Sequence, residues 1–280
     1  MNYLSVENIS KSYGERILFE DISFGISKDQ KVAFVAKNGS GKTSILNIIA
    51  GLDVPDTGQV ISRKGIQISY LAQNDELDPK LTIKEVVFSS ENKTLEVIEQ
   101  YNKALENPEN AEAYQKAFEL MEQHNAWDFD TQYKQILSKL KFDDLHQKVS
   151  NLSGGQKKRL ALATVLINKP DLLILDEPTN HLDLEMIEWL ESYFAKEKIT
   201  LFMVTHDRYF LERVCNEIVE LDHGKLYRYK GNYSYYLEKK EERIALEQTT
   251  VEKAKNLYNK ELDWMRRQPK ARTTKSKSRI

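Results

Sequence analysis

Lys37-Asn38-Gly39-Ser40-Gly41-Lys42-Thr43 decides the fold. It stands between an apolar run, Lys31–Ala36, and a helical pattern, Thr43–Ala50. Glycines let successive backbone N–H groups turn inward around phosphate oxygens, and the following helix N-terminus adds its partial positive charge. Lys42 has the reach for β- and γ-phosphates, and the Thr43 hydroxyl suits Mg²⁺, with Ser44 next in the same turn. A plain glycine turn before a helix needs none of these residue types. Strand, loop, Lys-Thr and helix together therefore point to a nucleotide-phosphate loop. One position departs from the usual pattern: Ala36 stands where glycine is expected. It closes the strand, farthest from the phosphates, so a small side chain is expected to fit.

Two later stretches agree with this reading. Leu172-Leu173-Ile174-Leu175-Asp176-Glu177 is an apolar strand ending in two carboxylates. At the carboxyl edge of a parallel sheet, Asp176 is expected to face a metal and Glu177 to polarise an attacking water. Leu152-Ser153-Gly154-Gly155-Gln156 precedes an apolar helix, Leu160 to Ile167, and makes a second anion-binding helix start. One nucleotide needs one phosphate loop, so the second makes sense if it serves a nucleotide held by another domain.

The surroundings set the fold class. Leu4 and Val6 alternate with polar neighbours, as do Ile66, Ile68 and Tyr70, which predicts strands. Lys31–Ala36, Leu172–Leu175 and Thr200–Val204 are continuously apolar, as in strands buried on both faces. Helical patterns, Thr43–Ala50 and Leu184–Phe194, follow two of them. Strand then helix, repeated, gives an α/β core with a mostly parallel sheet. Residues 83–148 instead have helix-forming composition, broken at Asn107-Pro108. A helix on each side of that break and a third over about Asp128–Leu140 predict an all-helical insertion. From Tyr233, Leu237, Ile244, Val251, Tyr258 and Met265 recur every seven residues, widened by Ala254 and Leu262. So narrow an apolar seam on a long helix wants a partner helix.

At 280 residues, 40% hydrophobic and 30% charged, the chain has the balance of a globular protein with a well-solvated surface. Its apolar stretches are too short to span a bilayer. A single cysteine, Cys215, excludes an internal disulfide framework and a cysteine-based zinc site, and fits a reducing cytoplasm. The net charge of −2 sums unlike parts. Residues 1–237 hold 28 Lys/Arg against 36 Asp/Glu, whereas residues 238–280 hold 13 against 7. After Asp263 every charge is basic: Arg266, Arg267, Lys270, Arg272, Lys275, Lys277 and Arg279. That asymmetry suggests an anionic partner for one end. His124, His146 and His223 show no metal-ligand spacing.

In this order, the motifs resemble the ATP-binding cassette ATPases over residues 1–231. The resemblance implies a phosphate-loop cassette fold with an antiparallel β subdomain and a helical insertion at about 83–148. It implies ATP and Mg²⁺ as cofactors, held by Lys37 to Ser44, with Thr43, Gln73 and Asp176 facing the metal. Tyr13 matches the aromatic residue that stacks on adenine, and Gln73 the glutamine that senses Mg²⁺ and the lytic water. Glu177 and His206 match the catalytic glutamate and the switch histidine. Ser153, Gly154, Gly155 and Gln156 match the signature that closes over ATP on a second cassette, and Asp183 the aspartate crossing between cassettes. His181 is expected to be structural there.

Three further stretches resemble the ABC-F subfamily, whose members have no transmembrane domains: Glu177-Pro178-Thr179-Asn180-His181-Leu182-Asp183, Thr205-His206-Asp207-Arg208-Tyr209-Phe210-Leu211, and Gly231-Asn232-Tyr233-Ser234-Tyr235-Tyr236. The helix after Gly231 matches that subfamily's interdomain linker, here 232–280, and the insertion its arm. Leu262-Asp263-Trp264-Met265-Arg266-Arg267 and the basic run resemble the Uup-like branch. The implied reading is an N-terminal cassette with part of a linker. Its partners would be a second cassette, from the rest of the chain or another copy, and ribosome, tRNA or DNA at the basic linker tip. The competing expectation is the ATPase subunit of a membrane transporter.

Overall fold

A computed structural model describes residues 1–73, 77–89, 92–106 and 110–266. The Asn107-Pro108 break lies outside these residues, as do the basic residues from Arg267 to Arg279. A hairpin opens the chain, β1 (Asn2–Tyr13) and β2 (Arg16–Ser27), and turns at Gly14, whose φ of 59° favours glycine. Both strands run 12 residues, longer than the alternation of Leu4 and Val6 suggests. Register shifts between Val6 and Ile9 and on both sides of Lys11 break the two-residue period.

Next come β3 (Lys31–Ala36), α1 (Lys42–Ile49), β4 (Thr57–Ser62) and β5 (Ile68–Leu71). β4 joins β1 to complete an antiparallel sheet in the order β2-β1-β4. Ile66 lies outside β5, so the alternating strand begins two residues later than its pattern suggests.

The helical insertion comprises α2 (Ile83–Phe88), α3 (Lys93–Glu106), α4 (Ala111–Gln123) and α5 (Ala126–Lys139). Its neck is tied by backbone pairing: Thr82 bridges Lys148, and Ile83 N–H donates to Gln147 O at 3.0 Å. Tyr101, Tyr114, Phe118 and Trp127 pack ring on ring at its surface, with centroids 5.0–6.4 Å apart, while Leu95, Ile98, Ala117 and Met121 are buried.

A short 3₁₀ turn, Val149–Asn151, leads to α6 (Gly154–Ile167). Then follow β6 (Leu172–Asp176), α7 (Leu184–Lys196), β7 (Thr200–Val204), α8 (Arg208–Val214), β8 (Glu217–Asp222) and β9 (Lys225–Tyr229). The second sheet has the order β5-β6-β7-β3-β8-β9, parallel except for β9. Every residue of β6 and β7 is buried, which explains their unbroken apolar sequence. One apolar core lies between the sheets, filled by Phe24 of β2, Phe34 of β3 and Phe202 of β7, with Ile45, Leu46, Ile48 and Ile49 of α1.

The chain divides into two units, Met1–Tyr233 and Ser234–Ile280. The second consists, among the described residues, of nearly all of α9 (Tyr233–Arg266), a 34-residue helix. Its seam residues Leu237, Ile244, Val251, Tyr258 and Met265 are all exposed. No described helix is long and apolar enough to cross a membrane.

Candidate active site

Four neighbouring parallel strands, β5, β6, β7 and β3, end on the same edge of the larger sheet. Each delivers one motif there: Gln73 after β5, Asp176 and Glu177 at the end of β6, His206 after β7, and the phosphate loop after β3. Ligands of open α/β sheets bind in the crevice outside such carboxyl ends.

The loop geometry needs its glycines. Gly39 and Gly41 have φ of 75° and 90°. A Cβ on Gly41 would stand 3.0 Å from Leu18 Cβ and 3.1 Å from the Phe19 ring. Ala36, by contrast, is ordinary extended backbone paired with Leu221, so the departure from glycine costs nothing there. Lys42 Nζ donates to Asn38 Oδ1 at 2.9 Å and Ala36 O at 3.2 Å, and lies 3.4 Å from His206 Nε2. Burial pulls the Lys42 ammonium below its usual range, while Glu177 and Asp176 pull it back up.

Thr43 Oγ1 donates to Asp176 Oδ2 at 3.2 Å. Asp176 is only 3% exposed, and burial holds its carboxyl above the ordinary carboxylate range. The charge of Glu177 adds to that rise, while Thr43, Lys158 and Lys42 oppose it. Glu177 takes a left-handed backbone, φ 51°, as its N–H donates to Val204 O at 2.8 Å. Its carboxylate accepts from His206 N–H at 3.2 Å, and its other oxygen is 3.6 Å from His206 Nε2. Thr43 with Asp176, and Lys42 and Glu177 with His206, thus form two bonded groups that the Asp176–Glu177 peptide joins into one polar chain.

The other expected residues lie around this chain or apart from it. Tyr13, at the tip of the β1–β2 hairpin, is 65% exposed. Gln73 is exposed, and its carbonyl accepts from Lys158 Nζ at 3.1 Å. Ser44 sits half-buried in the first turn of α1. Lys37 lies 3.7 Å from Asp222 and 3.5 Å from His223, and the Ser40 hydroxyl donates to Lys37 O at 2.7 Å.

Ser153 caps α6 reciprocally with Gln156: Gln156 N–H donates to Ser153 Oγ at 3.3 Å and Ser153 N–H to Gln156 Oε1 at 2.8 Å. A Cβ on Gly154 would meet nothing within 4 Å; one on Gly155 would meet His181 at 3.4 Å. Asp183 caps α7 through Met186 N–H and accepts from Lys141 Nζ at 2.5 Å. Ser153, Gln156 and Asp183 thus cap their own helix starts, and Asp183 also holds Lys141.

Two polar contacts have no motif to announce them. Arg16 Nη2 donates to Gly39 O at 2.9 Å and, with Lys37, Asn38 and His223, lines an open cavity of about 310 Å³ beside the loop. Lys158 is buried beneath the edge. Arg16 stands only three residues from Tyr13 and Lys158 only two from Gln156, but nothing in their residue type separates them from solvated cations.

A glycine loop running into a helix, with Thr43 bonded to a strand-end aspartate, defines a phosphate-loop nucleoside triphosphatase. The chain belongs to the ATP-binding cassette family: a family model described as ABC transporter matches residues 19–180, and another so described matches residues 219–280. It is accordingly an ATPase domain, in a family that binds ATP with Mg²⁺. It is 45% identical, over its whole length and 46% of the relative, to the uncharacterized ABC transporter ATP-binding protein YfmR of Bacillus subtilis. It is 37% identical to the energy-dependent translational throttle protein EttA of Mycobacterium tuberculosis, over 99% of this chain and 50% of the relative. Escherichia coli K12 EttA is 34% identical over 95% and 49%. The chain spans about half the length of these curated relatives. An ATP-binding subunit of an ABC transporter shares its fold, with a TM-score of 0.62 at 22% identity, over 81% of this chain and 90% of that one.

Proposed function

We propose that the cassette binds and hydrolyses ATP·Mg²⁺ at the edge of β5, β6, β7 and β3, and that nucleotide-driven pairing with a second cassette acts on the translation machinery. Two bonded groups, Thr43 with Asp176 and Lys42 with His206 and Glu177, adjoin at the Asp176–Glu177 peptide and carry the catalytic part. Tyr13 stacks on adenine, and residues 37–44 cradle the phosphates with backbone N–H groups, Lys42 and the start of α1. A hydroxyl 3.2 Å from a buried carboxylate is an oxygen donor set that fits a hard divalent cation. Thr43, Asp176 and Gln73 would hold Mg²⁺, which when bound neutralises charge on the β- and γ-phosphate oxygens. Glu177 accepts a proton from the attacking water, and His206, bonded to Glu177, faces the γ-phosphate. Fixed donors aimed at that phosphate need no reorganisation as its charge spreads.

Ser153, Gly154, Gly155, Gln156 and Asp183 serve ATP on the other cassette. The open space at Gly154 supports this, because no neighbour among the described residues requires a glycine there. The second cassette comes from a longer form of this chain or from another copy, so a lone cassette binds ATP but turns it over slowly.

Similarity to translational throttle proteins, together with the stretches that resemble ABC-F and its Uup-like branch, favours a cytoplasmic protein whose linker meets RNA or DNA phosphates. A transporter ATPase subunit is the second reading, favoured by the family description and the structural neighbour. Co-sedimentation of the Glu177→Gln chain with ribosomes in ATP and in ADP, at low and high salt, separates the two. ATP-dependent, salt-sensitive ribosome binding is expected. Recovery with membranes and none with ribosomes would overturn the translation role.

A further inference from the structure

Lys158 lies five residues past Ser153 on α6 and is 8% exposed. Its ammonium donates to Ala72 O at 2.8 Å, to Gln73 O at 3.1 Å and to Asp176 O at 3.4 Å. An ammonium carries three donors and no acceptor, so backbone carbonyls are suitable partners for it. Burying a charge is expensive, and an apolar side chain of similar length would fill the same space without that cost. What an apolar side chain lacks is the ability to hold three carbonyls from two separate segments at one point.

Those carbonyls belong to the segments that carry the reaction. Ala72 and Gln73 follow β5, and Asp176 ends β6. Leu71 and Leu175 are already register partners, so the ammonium continues the β5–β6 pairing past the point where the ladder stops. α6 is capped by Ser153, so one side chain connects the Ser-Gly-Gly helix start with two of the three residues assigned to the metal.

We propose that Lys158 is a positioning residue of the ATPase site: it sets Gln73 and Asp176 in place for Mg²⁺ and ties their position to the orientation of α6. This rests on the assignment of Gln73 and Asp176 to the metal, as proposed above. Lys158 acts through the backbone carbonyls of Gln73 and Asp176.

The test compares the wild-type chain with Lys158→Met and Lys158→Arg. ATP affinity is read with a fluorescent ATP analogue, and hydrolysis in single turnover across a Mg²⁺ series. Lys158→Met is expected to bind nucleotide within about threefold of wild type without Mg²⁺. Its hydrolysis rate should fall at least about tenfold, with a comparable rise in the Mg²⁺ needed for half-maximal rate. Lys158→Arg, which keeps the charge and the donors, should recover most of both losses. A folded Lys158→Met with wild-type rate and Mg²⁺ dependence overturns the inference, as does an equal loss of nucleotide affinity and rate. If Lys158→Met does not fold, Lys158→Gln, which retains two donors, takes its place under the same criteria. A wild-type chain that fails to bind ATP overturns the site assignment itself, which is a different result.

Discussion

Glu177 holds a left-handed backbone that costs a non-glycine residue about 1–2 kcal/mol, and it does so where its carboxylate meets His206 N–H. Strain of this kind persists where function uses the resulting geometry. Glu177→Gln should therefore keep ATP affinity but lose about 100-fold or more in hydrolysis, the usual contribution of a general base; single-turnover assays with bound ATP read this directly. Asp176 carries a second tension. Its folded carboxyl binds a proton more tightly than an ordinary aspartate, so stability favours the protonated form. That contribution is complete below the unfolded-state value and is lost as pH rises through the window up to the raised folded value. At neutral pH without Mg²⁺, Asp176→Asn should then melt above wild type in calorimetry, with the difference shrinking as the pH is lowered into that window, and should hydrolyse no ATP. The phosphate loop and the strand-end carboxylates are legible in sequence because local spacing marks them, whereas Tyr13, Gln73, Asp183 and His206 are singled out only by resemblance. Arg16 and Lys158 were not legible, because their acceptors are 23 and up to 86 positions away.

At the scale of elements, the buried strands and their following helices follow directly from unbroken apolar runs and the helical period. β1 and β2 were legible only in part, since bulges erase the alternation that marks a half-buried strand. The insertion's composition signals helix, and α5 covers Ala126–Lys139 where the pattern suggested Asp128–Leu140. Asn125, in left-handed conformation, starts that helix earlier than the pattern suggested. A capping box at Thr82 and Glu85 starts α2, and another starts α6. Ser153→Ala should cost about 1 kcal/mol of stability through loss of its cap, measured by urea unfolding. If Ser153 also serves a second cassette, the same variant should weaken ATP-dependent association, whereas Thr82→Ala, which loses a similar cap on α2, should not.

At the scale of the molecule, one core joins the antiparallel and the parallel sheets, and in it Phe202 packs against both Phe24 and Phe34. Phe202→Ala should destabilise by about 3–5 kcal/mol, readable as a lowered urea midpoint, and should take nucleotide binding with it because β7 carries His206. The long helix and its exposed seam belong to the second unit and were legible from a seven-residue repeat alone. Net charge was less informative, since −2 conceals an acidic cassette and a basic end. The central claim is that this ATP site is completed by a second cassette. Sedimentation velocity of the Glu177→Gln chain in ATP·Mg²⁺ and in ADP·Mg²⁺ tests it most directly. A dimer that forms in ATP, dissociates in ADP and is lost in the added Gly154→Glu variant is predicted; the same monomeric species in both nucleotides, with ATP demonstrably bound, would contradict it.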